Sequence, residues 1–313
     1  MRNLRAIFPF MTTSNIPENI QECLSDYAFR ELTDTLHISK GFGLLTQSDH
    51  FIHADNRWLF KYVENKRTAN KHAVTRLHKQ RLQKATDKGR EITSELTEEM
   101  WQQAEREVLK TAPIRETIVY LIFDENVGRI WCGGSSAGQC QKALKHLRSA
   151  IGSLKTTPLI YDLASRLLAR QLCKGFKYAE GFPNNLIIPA NGKVQATDGD
   201  QRVTFDGVDL RDEGVGKVLS DMMVRAVEMQ LVRPVEKGDP TVVATFTLNV
   251  PESGPVHLKG LDYAGAAASN EGDEAHHYAT EMLILGGFAW EIFDTLRVYF
   301  HGSTGTTRTE WAE

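Results

Sequence analysis

The sequence predicts an α+β fold of mostly antiparallel strands, with a protruding helical pair inserted between them. Three observations predict it. Short segments alternate apolar and polar residues, as at Trp58, Phe60 and Tyr62. One stretch, 65–112, is helical in pattern throughout. Elsewhere helices and strands are segregated rather than alternating regularly, which argues against a parallel α/β sheet.

Taken in order, residues 6–11 read as a strand. A helix follows with Pro17 in its first turn and Ile20, Leu24 and Tyr27 or Ala28 at helical spacing. Strands are expected near 43–46 and at 57–63. Asp87-Lys88-Gly89 divides the stretch 65–112 into two helices. Thr97 is the expected N-cap of the second, with Glu98 and Glu99 in its first turn, where the helix dipole favours anions. Met100, Ala104 and Val108 form its apolar stripe, and Pro113 stops it.

Residues 117–123 and 129–132 read as strands joined by the turn Asp124-Glu125-Asn126-Val127-Gly128. Ser135 or Ser136 caps a helix reaching about 151, with Ala143, Leu144 and Leu147 inward. A further helix over 160–173 offers Leu163, Leu167 and Leu168 to the core. The Gly-, Pro- and Asn-rich stretch 175–195 marks a domain boundary. Beyond it come strands near 186–189 and 202–205, a helix over 212–225, a strand over 241–250 with 256–258 beside it, and a last helix from Asp273 to Tyr299 with a bend at Gly286-Gly287. The small-residue stretch 264–270 reads as a mobile loop. The expected organisation is an N-terminal α+β domain (1–64 and 114–175), an inserted basic helical pair (65–113) and a C-terminal α+β domain (176–313).

Composition is ordinary for a globular chain, with 41% apolar and 25% charged residues. No run approaches the length of a membrane span, and the apolar run before Pro9 is too short for a signal peptide. A cytoplasmic protein is expected. Cys23, Cys132, Cys140 and Cys173 have neither zinc-site nor C-x-x-C spacing and read as reduced thiols.

Charge is more informative. The net of −3 conceals +8 over residues 1–194 and −11 over 195–313. Within 66–90, nine cations stand against Asp87: Lys66, Arg67, Lys71, Arg76, Lys79, Arg81, Lys84, Lys88 and Arg90. On a helix His72, Arg76 and Lys79 share a face, while Val74 and Leu77 anchor the helix to the body. Cations so placed can follow a phosphate backbone without reading bases. The alternative is a solvated charged arm.

Catalytic patterns are weaker. Asp124-Glu125 and Glu236-Lys237 fall in turns, where acids are the default choice. Asp273, Glu274, His276, His277 and Glu281 cluster at a helix start, but the H-E-x-x-H arrangement is absent. Gly214-Val215-Gly216-Lys217 fails the phosphate-loop pattern, because Arg211 replaces the leading Gly and Val218 the Ser or Thr. Gly133-Gly134-Ser135-Ser136 can offer backbone N–H groups to a phosphate, or it can be a capped helix start. No catalytic residue, metal or cofactor is expected.

The order of segments resembles the recombination-associated RdgC family. The resemblance is carried by Val63-Glu64-Asn65-Lys66, the basic helix, Lys88-Gly89-Arg90, Glu107-Val108-Leu109, Pro113 and Arg115, Phe123-Asp124, and the run from Ala143 through Leu147-Arg148-Ser149-Ala150-Ile151-Gly152-Ser153-Leu154 to Pro158-Leu159. It continues more loosely at Gly192-Lys193-Val194, Gly207-Val208-Asp209-Leu210, Leu258-Lys259 and Met282-Leu283. It implies a ring-shaped homodimer around double-stranded DNA, bound without sequence preference and associated with the nucleoid. It also implies restraint of RecA-dependent recombination, with any recombinase affected indirectly. The tip Thr111-Ala112-Pro113-Ile114-Arg115 lacks the family's aromatic residue, and 195–207 and 233–240 also depart. Two rival functions are a metal-dependent DNA exonuclease, the label the family sometimes carries, and a protein that inhibits a recombinase by direct contact.

Overall fold

The computed structural model describes residues 4, 6–33, 36–161, 163–173, 182–236, 238–263 and 274–302, with 301 and 302 described by backbone only. The expected boundary near 176 and the loop 264–270 lie wholly or partly outside the described residues, as do Asp273 and Lys237. Among the described residues the strands are β1 Ala6–Thr12, β2 Ile38–Phe42, β3 Phe51–Ala54, β4 Arg57–Arg67, β5 Ile114–Asp124, β6 Arg129–Gly134, β7 Thr156–Pro158, β8 Leu186–Ile187, β9 Val194–Thr197, β10 Arg202–Phe205, β11 Met223–Arg233, β12 Thr241–Asn249 and β13 His257–Tyr263. The helices are α1 Ile20–Asp26, α2 Lys71–Asp87, α3 Ser94–Thr111, α4 Ala137–Ile151, α5 Ala164–Cys173, α6 Glu213–Leu219 and α7 Glu274–Gly302. The class is α+β with a large antiparallel sheet, as the sequence predicts. None of the described helices is long and apolar enough to cross a membrane.

The chain forms two compact units: Met1–Asp26, Leu44–Lys61 and Val119–Glu313 make the first, Tyr27–Gly43 and Tyr62–Ile118 the second. β4 and β5 contribute to both.

In the first unit the strand order is β10-β9-β11-β12-β13-β1-β6-β5, with β7 on β1, β8 on β11 and β3 on β4. β1 is central although it contains a proline. One edge pairs with β6 from Ala6↔Gly134 to Met11↔Arg129. The other pairs with β13 at Ala6 and Ile7 and with β7 from Phe10 to Thr12, so the N–H that Pro9 lacks falls where the partner changes. α7 supplies Met282, Leu285, Ala289, Ile292, Phe293 and Leu296 to the core, and Phe293 stacks on Trp131 at 5.5 Å. α4 buries Ala143, Leu144 and Leu147, as expected, and Cys140 with them, and Ser136 caps it by accepting from Gln139 N.

Several expectations are corrected here. The strand expected at 43–46 is a loop, and the strands near it are β2 and β3. β3 and β4 form a hairpin whose turn residues Asp55 and Asn56 have φ of 52° and 55°, a two-residue turn that matches strand twist. Gly41 belongs to β2, where a Cβ would lie 2.5 Å from Phe29 N. Leu168 is buried as expected, but Leu163 is exposed, and Ala164 and Leu172 complete the buried face of α5. The helix expected over 212–225 ends at Leu219. From Met223 the apolar residues recur every second position, and a ladder with β9 and β12 claims them as β11. β9 was missed because it begins inside the stretch 175–195 that reads as a domain boundary.

In the second unit β2 pairs with the far half of β4, from Ile38↔Lys66 to Phe42↔Tyr62. The α2–α3 pair packs through small residues, Ala85 and Ala104, with Val74 also buried. His78 crosses the seam: its ring lies edge-on to Trp101 at 5.2 Å, and Nε2 is 3.1 Å from the Thr97 carbonyl, which can only accept. The helical pattern starts later than expected, because β4 runs on to Arg67. The N-cap of α3 is Thr93, not Thr97: Thr93 Oγ1 accepts from Leu96 N at 3.2 Å, while Thr97 donates back to Thr93 O. Two residues of similar chemistry four apart compete for the cap, and the earlier one leaves a full turn for packing.

Candidate nucleic-acid interface

α2 begins where Asn70 ends the extended backbone. Its side chain accepts from His72 N and Ala73 N at 3.0 and 3.3 Å, satisfying two N–H groups of the first turn. That cap sets the helical phase and so decides which cations face outward. At 100° per residue, His72, Arg76, Lys79, Gln80, Gln83 and Lys84 fall within an arc of about 140°, opposite the buried Val74 and Ala85. Gln83 donates to Asp87, the single acid of the helix, at 2.8 Å. Lys84 in the last turn complements the C-terminal dipole.

The nine predicted cations do not share one environment. Lys66, Lys71, Arg76, Lys79, Lys84, Lys88 and Arg90 are exposed, and among the described residues none has a carboxylate partner. Lys66 and Arg67 stand at the end of β4, and Lys88 and Arg90 follow α2. Arg81 differs. It turns to the inner side, where Nη2 pairs with Glu107 of α3 and Nη1 donates to Gln103 at 3.3 Å. Arg67 differs again: it is half-buried, and its Nε and Nη1 are enclosed without an acceptor among the described residues.

Sequence reasoning missed the partition of charge across the pair. α3 carries Glu95, Glu98, Glu99, Glu105 and Glu107 against Arg106 and Lys110, so a basic helix lies against an acidic one. Glu98 and Glu99 are held by Gln102 and Gln103 along their own helix, at 3.1 and 2.9 Å. Helical spacing could have shown these i, i+4 pairs. Which α2 cation meets Glu107 depends on how the helices dock, and no local pattern contains that. At the tip, Ile114 and Arg115 are exposed beyond the C-cap Ala112.

The two acids of the β5–β6 turn have internal partners. Asp124 is fully buried, with Oδ2 2.6 Å from Arg57 Nε and Oδ1 accepting from Asn126 N at 3.1 Å. Arg57 also donates to the Leu283 carbonyl at 3.3 Å, tying β4 to α7. Glu125 accepts from Ile16 N at 3.1 Å. His276, His277 and Glu281 lie on α7; Glu236 is exposed in a turn. Among the described residues no three His, Cys, Asp or Glu side chains come together as a metal site. All four cysteines are free. Burial pushes the Cys132 thiol well up, beside Cys140.

The glycine-rich segments are structural. Gly133 and Gly134 are paired β6 residues, and a Cβ on them would lie 2.6 Å from Leu4 Cδ1 and 3.0 Å from Cys140 Sγ. Of the two readings of 133–136, the capped helix start is the one observed. Gly214, Gly216 and Lys217 lie on α6, a helix of seven residues capped by Asp212.

No curated protein matches the chain. A family model described as "Putative exonuclease, RdgC" matches residues 1–231, which takes in the whole second unit with its basic segment and the first unit as far as Leu231. With 231 of 313 residues matched, the chain belongs to the RdgC family.

Proposed function

We propose that this protein binds double-stranded DNA through its phosphate backbone, independently of sequence, with α2 and its flanking residues as the main contact. Membership of the RdgC family supports a recombination-related role. The observation that carries the reading is the set of seven exposed cations between Lys66 and Arg90 that have no carboxylate partner among the described residues. A cation already paired must break its pair before it can take a phosphate. An unpaired one releases condensed counterions from the DNA and keeps the gain. Arg81, paired with Glu107, is therefore assigned to holding the helical pair together rather than to DNA. Arg67 is half-buried with Nε and Nη1 enclosed, so the reading rests on the seven exposed cations rather than on it.

The working form is a ring-like homodimer in the cytoplasm, associated with the nucleoid. It modulates RecA-dependent recombination by occupying duplex DNA, without chemistry on the DNA and without a cofactor. The deciding experiment is a shift assay with two unrelated labelled duplexes of equal length, run in EDTA and again with magnesium or manganese. Equal retardation of both with intact strands is expected. Strand shortening that depends on the metal would replace this reading with the exonuclease. Recombinase recovered with the protein from nuclease-treated lysate, without any duplex binding, would replace it with direct inhibition.

A further inference from the structure

Residues 126–161 contain no carboxylate at all, while carrying Arg129, Lys142, Lys145, Arg148 and Lys155. The structure brings two of these cations, Lys145 and Arg148, to one groove on the first unit. α4 turns Lys145 and Arg148 outward, away from its buried stripe. Both border a groove of about 510 Å³ between α4 and β7. Gln141, Ser149 and Thr156 add polar groups to its walls, and Phe10, Leu144 and Pro158 make an apolar floor. Arg148 is fixed at the rim, because its Nε donates to Leu154 O at 2.7 Å. Lys155 follows directly and is exposed, its backbone pinned by Ser14 Oγ at 2.9 Å.

No acid lines the groove, so its like charges repel one another unless a polyanion covers them. The walls and floor differ in a way that suits one strand of a nucleic acid. Cations and hydroxyls along the rim take phosphate oxygens, and the apolar floor takes the edge of a deoxyribose. We infer that the α4–β7 groove is a second backbone-contact site for duplex DNA, with Lys145 and Arg148 as its lining cations and Lys155, next to Leu154, as a flanking one. This rests on the DNA-binding reading above and adds a contact on the other compact unit.

The test is lysine footprinting of the full chain with an amine-reactive ester, with and without a short duplex. Lys145 and Lys155 should be protected several-fold, while Lys217, exposed on the acidic half, should react equally in both. Equal reaction at Lys145 with and without DNA overturns the inference. So does full protection of Lys145 by millimolar inorganic phosphate alone, which would mean a small-anion site. A paired variant, Lys145→Gln with Lys155→Gln, leaves Arg148 in place to hold Leu154. It should lower the salt slope of duplex binding by about 1.8 and the affinity at 0.1 M salt by about 60-fold. An unchanged slope in a folded variant also overturns the inference. If the wild-type chain binds duplex and only α2 variants alter the slope, this inference alone fails. If the wild-type chain shows no salt-dependent binding, the DNA-binding reading fails with it.

Discussion

Replacing Arg76, Lys79 and Lys84 with Gln removes three outward cations of α2 while leaving its cap, its buried face and the Arg81–Glu107 pair intact. Each lost phosphate contact lowers the slope of log K against log salt by about 0.9, so three lower it by about 2.7. Extrapolated from 1 M reference conditions, each contact contributes about 8-fold at 0.1 M salt, and three contribute about 500-fold. Gln is a good helix former and the positions are exposed, so the melting curve should move little. Fluorescence anisotropy with a labelled duplex, repeated across salt concentrations, reads both quantities. A folded variant with the wild-type slope would refute the reasoning, because the cations judged free would then not be meeting phosphate. Loss of affinity for one sequence but not another of equal length would refute it too, since backbone contacts carry no base information.

Other outcomes follow from the same geometry. Arg81→Gln should leave the salt slope unchanged and cost less than about 1 kcal/mol in a urea titration, because Glu107 is largely exposed and solvent screens the pair. Asp124→Ala strands the half-buried Arg57 beside a fully buried cavity and should destabilise the fold by about 3 kcal/mol, read by chemical denaturation, with the DNA slope unaltered. Thr93→Ala should cost about 1 kcal/mol through loss of the α3 cap, and Thr97→Ala clearly less. Burial holds the His257 imidazole below its ordinary pKa, where it stacks on Phe8 at 4.5 Å and donates to Pro255 O. A folded pKa below the unfolded one gives stability that is complete above about pH 6.5 and is lost as pH falls through the lowered value. The urea midpoint should therefore drop between pH 7.5 and 5 in the wild type and drop less in His257→Phe; equal drops would remove His257 from the account.

The elements most legible in the sequence were those with a long, regular period. α4 shows its stripe at Ala143, Leu144 and Leu147, and β5 and β6 are set off by a turn ending in Gly128, whose φ is +59°. β3 was hard to see because four residues give little alternation to count, and β9 because it begins inside the stretch 175–195. The segment that became β11 follows directly on a real helical turn, and only its two flanking strands settle it as extended. At the candidate site, the concentration of cations in 66–90 could be read directly, but their availability could not. That depended on the phase set by Asn70, on the docking of Glu107 against Arg81 and on the extension of β4 to Arg67. The acid-free run 126–161 was equally plain in the sequence, yet summing charge over whole halves averaged it away.

The central claim is that unpaired cations of the helical arm lie along phosphates, and the wild-type salt dependence tests it most directly. Seven contacts give each helical arm a share of about −6 in the slope, so the complex should show a slope at least that steep between 50 and 200 mM salt, the same for two duplexes of unrelated sequence. Affinity that is flat across that range, or that tracks the base sequence, would contradict it.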